Sequence, residues 1–357
     1  MPPKQNSVIN LLHSRYRAFA LIIVLLALLF RLGYSFSLES RIYDEDEEIY
    51  LTTARNFISG KGLIYTPYRK AAFPPLYSLF LSAAFRVGLH SLKSIRNIQA
   101  IIGSFSCLIL LGITRMVFRR AGEGRAAAAS LIAAFLMAVY PSMIFYGSLL
   151  MAETLFLFLF LGGIYCLLKS RSGGNVYLYV ISGGVSFGLG ILCRPNLAPG
   201  ALAALLWLGI LYLRRRNLVP VVAGFLIPLL LVLAPWWIRN YRVFGRFVPL
   251  TTTGGKNLYV ANNPAATGGS MGYRELMAKG IFHMGDDENE LEYNRFYGRK
   301  ALDFIRTNPG RFFELAGKRL LWFFHLDYHH QGGTWKVIFF HLLLILAAAG
   351  IWLSRKC

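Results

Sequence analysis

The chain has 357 residues, of which 55% are hydrophobic and only 15% are charged, and its mean hydropathy is +0.48. This composition excludes an ordinary soluble protein and favours a polytopic membrane protein. The net charge of +21 lies in short basic runs between apolar segments, without the interleaved aromatic residues of a nucleic-acid surface, so it indicates membrane topology and anionic lipid.

Runs of about 20 mostly apolar residues predict the membrane-spanning helices. The first run follows a basic N-terminus without a small-residue cleavage site, which predicts a retained signal anchor. A shorter apolar run, residues 76–89, follows Pro74 and Pro75 and predicts an interfacial or half-inserted helix. If that run crossed the membrane instead, the orientation of everything after it would reverse. The eight predicted spans are residues 18–36, 98–118, 126–146, 154–168, 176–193, 197–213, 218–238 and 337–353.

The basic residues also predict orientation. Short basic linkers at residues 115–125, 169–171 and 214–216 fall on the same side as both termini, which the positive-inside rule makes cytoplasmic. Two long connections face the opposite, outer side. They divide the chain into three predicted regions, which are a transmembrane module at residues 1–238 with a first outer loop at 37–97, an outer loop domain at 239–336, and a last helix with a cytoplasmic tail at 337–357.

The second outer loop is predicted to be folded. Residues 248–272 are rich in Gly, Asn, Thr and Pro, as turns and binding loops are. Apolar residues at near-helical spacing then predict one helix over residues 286–307 and another over residues 311–324. The sequence therefore predicts an all-α polytopic membrane protein with a folded outer domain.

Four segments bring ionisable residues to the outer side of this topology. Five carboxylates, residues 44–48, follow the first span, and Glu153, Arg194 and Arg239 lie in or beside the later outer connections. Ionisable groups at membrane depth usually line a cavity or a substrate path. Acids beside arginines favour transfer from a phosphorylated donor, because arginines hold phosphate and a carboxylate activates the nucleophile.

Each of these residues also has a structural interpretation. An acidic run is typical of a solvated helix start, and Glu153 has the position of a helix cap. Arg194 and Arg239 are equally typical of cations at a membrane interface. Both interpretations stay open for a single residue, so the convergence of the four segments is the stronger indication.

Two further features stand apart from the outer cluster. Arg31 lies deep in the first span, where its side chain must find a polar partner or reach the interface. His325, His329 and His330 have spacing that a metal site can use, but a single local cluster favours structural or loop histidines.

The ordered motifs resemble those of a known enzyme family. Asp46-Glu47-x-x-Tyr50-x-x-x-Ala54-Arg55 resembles the DE-x-x-Y-x-x-x-A-R signature in the first outer loop of GT-C membrane glycosyltransferases. Among these enzymes, the chain is similar to the protein O-mannosyltransferases of family 39 and to the aminoarabinose transferases that modify lipid A. Further matches follow in chain order over roughly residues 18–325, namely Gly60 and Gly62, Pro74-Pro75-Leu76-Tyr77, Tyr140-Pro141-Ser142, Glu153-Thr154-Leu155-Phe156, Cys193-Arg194-Pro195, Arg239-Asn240-Tyr241, Gly254-Gly255-x-Asn257-Leu258 and Asn262-Asn263-Pro264.

The resemblance implies a GT-C-type bundle that transfers a sugar, with inversion, from a polyprenyl-phosphate carrier to an acceptor. Asp46 would be the catalytic base and Glu47 a supporting acid, while Arg194 and Arg239 would hold the donor phosphate. The implied acceptor-side and supporting residues are Asp44, Tyr50, Arg55, Glu153 and Asn257.

Two departures from the family pattern affect these expectations. The aminoarabinose transferases carry Glu-Lys before Pro-Pro-Leu, where this chain has Ala72 and Phe73, so a metal site that uses that Glu is not expected. No cofactor is certain; a divalent cation stays open, with Glu153 and His329 as candidate ligands. Family members commonly continue for several more spans, so the catalytic module is expected here with a short C-terminal module.

The leading hypothesis is therefore an inverting glycosyltransferase in the cytoplasmic membrane of a prokaryote, with its active site facing outward. Its expected partners are a polyprenyl-phosphate-linked sugar, membrane lipid, and a glycan, lipid or protein acceptor, and no nucleic acid. Two alternatives stay open: a transporter or flippase for lipid-linked sugars, which needs a cationic cavity without a base, and a non-catalytic assembly subunit.

Overall fold

A computed structural model describes residues 14–172, 174–269, 273–281, 289–325 and 340–348, and the regular secondary structure in these ranges is helical. The chain forms two compact units, one of Met1–Thr66 with Phe73–Thr251 and one of Pro67–Ala72 with Thr252–Cys357. The helices of the first unit are α1 (Tyr16–Ser37), α2 (Glu45–Ile58), α3 (Pro75–Arg86), α4 (Leu92–Val117), α5 (Glu123–Val139), α6 (Pro141–Gly147), α7 (Glu153–Lys169), α8 (Val176–Cys193), α9 (Ala198–Tyr212) and α10 (Leu218–Phe244).

Five helical segments in the described residues are long and apolar enough to cross a membrane, and a bent pair of helices makes a sixth. Large apolar side chains cover their outward faces; Leu21 and Leu29 of α1, for example, are 59% and 63% exposed. Such surface is unfavourable in water and suits the hydrocarbon of a bilayer. The five segments are Tyr16–Ser37, Leu92–Val117, Val176–Cys193, Pro195–Tyr212 and Leu218–Phe244, and all coincide with predicted spans.

The predicted continuous span over residues 126–146 is corrected by the structure. The chain bends by 54° between α5 and α6. Pro141 begins α6, and because proline has no N–H, the carbonyl of Met137 loses its helical donor. Tyr140, the residue before the proline, is extended, as such residues usually are.

The remaining predicted spans have shorter described helices. α7 has 17 residues, the lower limit for a span, and it overlaps the predicted residues 154–168. α3 has 12 residues and is about 18 Å long, too short to cross, in agreement with the predicted interfacial helix. For the last predicted span only residues 340–348 are described, and these are helical.

The second unit contains α11 (Gly254–Ala261), α12 (Tyr273–Ala278), α13 (Glu290–Thr307) and α14 (Pro309–His325). Tyr259, Leu276, Tyr297 and Ala301 form its core. α11 and α13 approach so closely that a Cβ at Gly255 would overlap the carbonyl of Asn294, which explains a glycine in this motif.

α13 begins at Glu290, inside the predicted helix 286–307, of which residues 286–288 lie outside the described ranges. Its first residue also anchors a distant loop. The Glu290 carboxylate accepts hydrogen bonds from the backbone N–H groups of Lys70 (2.8 Å) and Ala71 (3.2 Å), and from the Thr252 hydroxyl. These bonds explain why residues 67–72 belong to the second unit.

Candidate functional site

The acidic run folds as a helix start. Asp44 is the N-cap of α2, and its carboxylate accepts a hydrogen bond from the N–H of Asp46 at 2.9 Å. Glu47, three residues on, returns a bond to the N–H of Asp44 at 3.3 Å, which completes a capping box. Because successive helical residues are about 100° apart, this geometry sends the side chains of Asp46 and Glu47 in different directions.

Glu47 lies in the interior of the first unit. Its carboxylate is fully buried and accepts 2.6 Å hydrogen bonds from the N–H groups of Tyr43 and Leu150. The equally buried Arg96 guanidinium lies 3.7 Å away. Arg96 also donates to the carbonyls of Glu39 and Arg41. Glu47 therefore joins the segment between α1 and α2, α4, and the connection between α6 and α7.

The sequence motifs do not predict Arg96 as part of this network. Gln99, one turn later on α4, donates to the carbonyl of Leu149 at 2.7 Å and accepts from the Tyr77 hydroxyl of α3. The sequence does contain one indication, which is the spacing of Arg96, Gln99 and Gly103 along one face of a largely apolar helix. These contacts hold residues 149–152 against α3 and α4.

The same connection places Glu153 at the first residue of α7. Its Oε1 lies 3.0 Å from Nη2 of Arg194, the residue that follows α8. Both side chains are about one third exposed or less, and Oε2 of Glu153 is buried without a hydrogen-bond donor from the described residues. The structure thus brings together two residues that are 41 positions apart in the sequence.

Asp46 lies beside this ion pair. The pKa of Asp46 is raised to about 6, mainly by burial and also by the neighbouring carboxylates of Asp44 and Glu153, while the Arg194 guanidinium lowers it. In the part of the chain that the structure describes, no group donates a hydrogen bond to the Asp46 carboxylate. The side chain is therefore a base that titrates close to neutral pH and keeps its lone pairs free.

Tyr50 lies one turn after Asp46 on α2, close to Asp46, Glu153 and Arg194. It is 2% exposed and packs edge to face against Phe73 and Tyr77, with ring centroids 5.2 and 4.8 Å apart. Burial raises its pKa well above the usual range for tyrosine, so it stays neutral at physiological pH.

A cavity of about 190 Å³ opens between α1, α4, α5, α6 and α7. Glu153 and Arg194 line it, so the cavity adjoins the ion pair. The rest of its wall is largely apolar and includes Arg31, Gly103, Ser106, Met137, Ser142, Met143, Tyr146, Gly147, Thr154, Phe156 and Leu157.

Three other predicted site residues have different surroundings. Arg239 donates to the carbonyl of Leu63 at 2.7 Å and to the Asn240 side chain at 2.9 Å, and it stacks on Trp236. Arg55 is exposed in the last turn of α2.

Asn257 is exposed on α11, in the second unit. The first unit therefore brings together Asp44, Asp46, Tyr50, Glu153 and Arg194, while Glu47 faces the interior.

The described residues contain no group of three or more His, Cys, Asp or Glu side chains that could hold a metal ion. Glu153, one candidate ligand, is paired with Arg194, whose positive charge would repel a cation bound beside it. The other candidate, His329, lies outside the described residues.

Comparison with protein families connects this site to an activity. The profile described as dolichyl-phosphate-mannose-protein mannosyltransferase matches residues 72–238. Over these residues the chain is similar to this family. The match confirms the GT-C resemblance and identifies a glycosyltransferase that is an integral membrane protein. Comparisons with curated proteins and with solved structures gave no significant match.

The region matched by the mannosyltransferase family covers part of the site. It contains Arg96, Glu153 and Arg194, together with α3 and the bent pair α5 and α6. Asp46 lies before it, and Asn257 lies after it. The structure links the earlier segment to the mannosyltransferase region through the ion pair of Glu47 with Arg96 and the hydrogen bond from Leu150 to Glu47.

Proposed function

We propose that this glycosyltransferase takes its sugar from a polyprenyl-phosphate carrier at the outer membrane interface, with Asp46 as the catalytic base. In this reaction Asp46 accepts the proton of an acceptor hydroxyl, the hydroxyl oxygen attacks the anomeric carbon with inversion, and the lipid phosphate departs. Because phosphate leaves as a stable anion, the site needs one base and cationic stabilisation, without a strong general acid.

The observation that supports this proposal is the difference between two adjacent carboxylates. Glu47 is fully buried and each of its oxygens faces donors of the protein. Asp46 accepts no hydrogen bond from the described residues, and its pKa is raised to about 6. Glu47 is thus suited to position the loop, and Asp46 to accept a proton from a bound acceptor.

The cationic component comes from Arg194, which we assign to the donor phosphate. Its ion pair with Glu153 orients the guanidinium beside Asp46, at the edge of an apolar cavity. Arg239 is a second donor-phosphate residue in the proposal, with Trp236 fixing the plane of its guanidinium. Glu153 would then set the position of Arg194 and the charge around the base.

The family description suggests mannose as the sugar to try first and a protein among the acceptors. The proposal places the protein in the cytoplasmic membrane of a prokaryote, with the site outward. A glycan or lipid acceptor fits the same chemistry, because the base needs only a hydroxyl group within reach.

The test compares three isosteric substitutions in the purified protein, assayed in detergent with a polyprenyl-phosphate sugar. Asp46→Asn should lower the transfer rate by about 10²-fold or more, and it should leave the thermal midpoint unchanged or slightly higher. Glu47→Gln should lower the midpoint, since breaking a buried ion pair costs about 3–5 kcal/mol. Glu48→Gln, an exposed neighbour, is the matched control and should retain both activity and stability.

Near-normal turnover by Asp46→Asn would rule out this base. Failure of the unmodified protein to consume the donor in detergent would favour the transport alternative, because transport has no meaning there. Activity that appears only when a second protein is added would favour the assembly subunit.

A further inference from the structure

Arg31 is a buried cation that the transfer chemistry above does not use. It lies six residues before the end of α1, about 9 Å along the helix, and is 1% exposed. A charge in an apolar helix bundle is costly unless a partner or a ligand compensates it. Its surroundings therefore indicate what it binds.

The protein partners of Arg31 are backbone carbonyls. Nη1 donates to Ala27 at 3.0 Å and to Ala138 at 3.3 Å, and Nη2 donates to Met137 at 3.3 Å. The last two carbonyls lie at the end of α5, where Pro141 removes the helical donor for Met137. Among the described residues no carboxylate pairs with this guanidinium, so its positive charge is not neutralised by the protein.

These bonds leave part of the guanidinium free. Arginine has five N–H donors, and three of them are used, so Nε–H and one Nη2–H remain. Gly103 provides the space for this edge: a Cβ there would lie 3.0 Å from Nε. Both free donors belong to a side chain that lines the 190 Å³ cavity.

The charge of the cavity favours an anion. Its ionisable lining residues are Arg31, Arg194 and Glu153, and the last two form an ion pair at 3.0 Å. The formal sum is therefore +1, and it comes from Arg31. The volume is below the roughly 300–1,000 Å³ of pockets that enclose a whole small molecule, so it suits a head group with the start of an apolar chain.

We infer that Arg31 is a phosphate-binding residue of this cavity and that its ligand is the phosphate of an isoprenoid monophosphate. Two parallel N–H donors on a planar cation match two oxygens of a phosphate, and the apolar wall accommodates the adjoining hydrocarbon. This inference rests on the proposed function for the identity of the carrier. It adds a phosphate-binding residue below the interface, on a helix outside the region that the family profile matches.

The experiment measures binding rather than transfer. The full-length protein in detergent is titrated with farnesyl phosphate, with farnesol, and with inorganic phosphate, and thermal stabilisation is recorded for each. Arg31→Gln should weaken farnesyl phosphate binding about tenfold or more and change farnesol binding less than twofold. Arg31→Lys, which keeps the charge but not the pair of parallel donors, should weaken farnesyl phosphate binding less than Arg31→Gln does. Arg17→Gln, an exposed arginine at the other end of α1, is the matched control and should bind as the unmodified protein does.

Gly103→Ala provides a second variant if Arg31→Gln does not fold. It keeps the charge but moves Nε, and it should weaken farnesyl phosphate binding without weakening farnesol binding. Equal losses for farnesyl phosphate and farnesol, or no loss in either variant, would overturn the inference and leave Arg31 as a cap of α5. Stabilisation by inorganic phosphate as strong as by farnesyl phosphate would overturn the assignment to a lipid.

The two proposals fail separately. Loss of transfer in Asp46→Asn with unchanged lipid-phosphate binding in Arg31→Gln would contradict only the role of Arg31. The reverse pattern would contradict only the role of Asp46.

Discussion

At the scale of single residues, the acidic run separates into side chains with different environments. Asp44 caps α2, Glu47 is buried against Arg96, and Asp46 remains without a hydrogen-bond donor from the described residues. The sequence predicted a base at this place through the resemblance, but spacing alone could not separate two adjacent acids. The separation comes from partners far along the chain, Arg96 and Leu150, which residues 44–48 by themselves do not indicate.

The raised pKa of Asp46 leads to a prediction about pH. A base must be deprotonated, so the transfer rate should fall as the pH drops below about 6, to roughly a tenth of its plateau at pH 5. The measurement is the pH profile of kcat/KM with a polyprenyl-phosphate sugar. An acidic limb near pH 4, the ordinary range of aspartate, would contradict the raised pKa of this partly buried carboxyl.

The raised pKa of Asp46 also makes the stability of the protein depend on pH, in the direction opposite to its effect on activity. Because the folded protein binds the Asp46 proton more tightly than the unfolded chain, this group stabilises the fold at low pH, and the contribution is lost as the pH rises through about 6. Asp46→Asn should therefore raise the thermal midpoint at pH 7 relative to the unmodified protein and lose that advantage near pH 4. Glu48→Gln, exposed on the same helix, is the control and should show no such dependence.

At the scale of elements, the helices are the part of the fold that the sequence predicts well. Five predicted spans coincide with long apolar helices, since about 20 apolar residues leave few alternatives in a membrane. The apolar pattern predicts one continuous span over residues 126–146, whereas the chain breaks between α5 and α6 at Pro141, which the sequence shows. Periodicity reports apolar faces, and it does not show whether a proline ends a helix or only bends it.

Close approach of α8 and α10 gives a prediction at this scale. A Cβ at Gly184 would overlap the carbonyl oxygen of Phe225, which is backbone and cannot rotate away. Gly184→Ala should therefore separate the two helices and destabilise the protein by about 1–3 kcal/mol or more. The measurement is the thermal midpoint in detergent.

Gly209 of α9 offers the control, because a Cβ there meets nothing within 4 Å. Gly209→Ala should be neutral, or stabilising by up to ~1 kcal/mol through helix propensity. If both alanines behaved alike, the close packing of α8 on α10 would not be the reason for glycine at position 184.

At the scale of the whole molecule, contacts in the first unit show which helices traverse its bundle. Near the start of α4, Arg96 contacts Glu47. Leu150, which follows α6, contacts the same Glu47, so the chain has returned to this end of the bundle. The opposite ends of α4 and α5 meet through the ion pair of Arg115 with Glu123 at 2.9 Å. The bent pair α5 and α6 therefore crosses the bundle once, despite its break.

α7 and α8 repeat this pattern. α7 leaves from Glu153 and α8 returns to Arg194, its partner at 3.0 Å. Asp46, Glu153 and Arg194 thus lie at one end of the bundle, and the basic linkers lie at the other. The positive-inside rule then predicts that the end with Asp46 faces outward.

Cysteine labelling in whole cells tests this topology. In a background with the native cysteines replaced by serine, Ser59→Cys, after α2, should react with a membrane-impermeant maleimide added to intact cells. Ser172→Cys, equally exposed after α7, should react only after permeabilisation, since α4, the α5 and α6 pair, and α7 separate the two positions by three crossings. Reversed labelling would place the site in the cytoplasm. Labelling of both positions from outside would require an even number of crossings between them. That result would contradict a bundle in which α7 leads away from Glu153 and α8 leads back to Arg194.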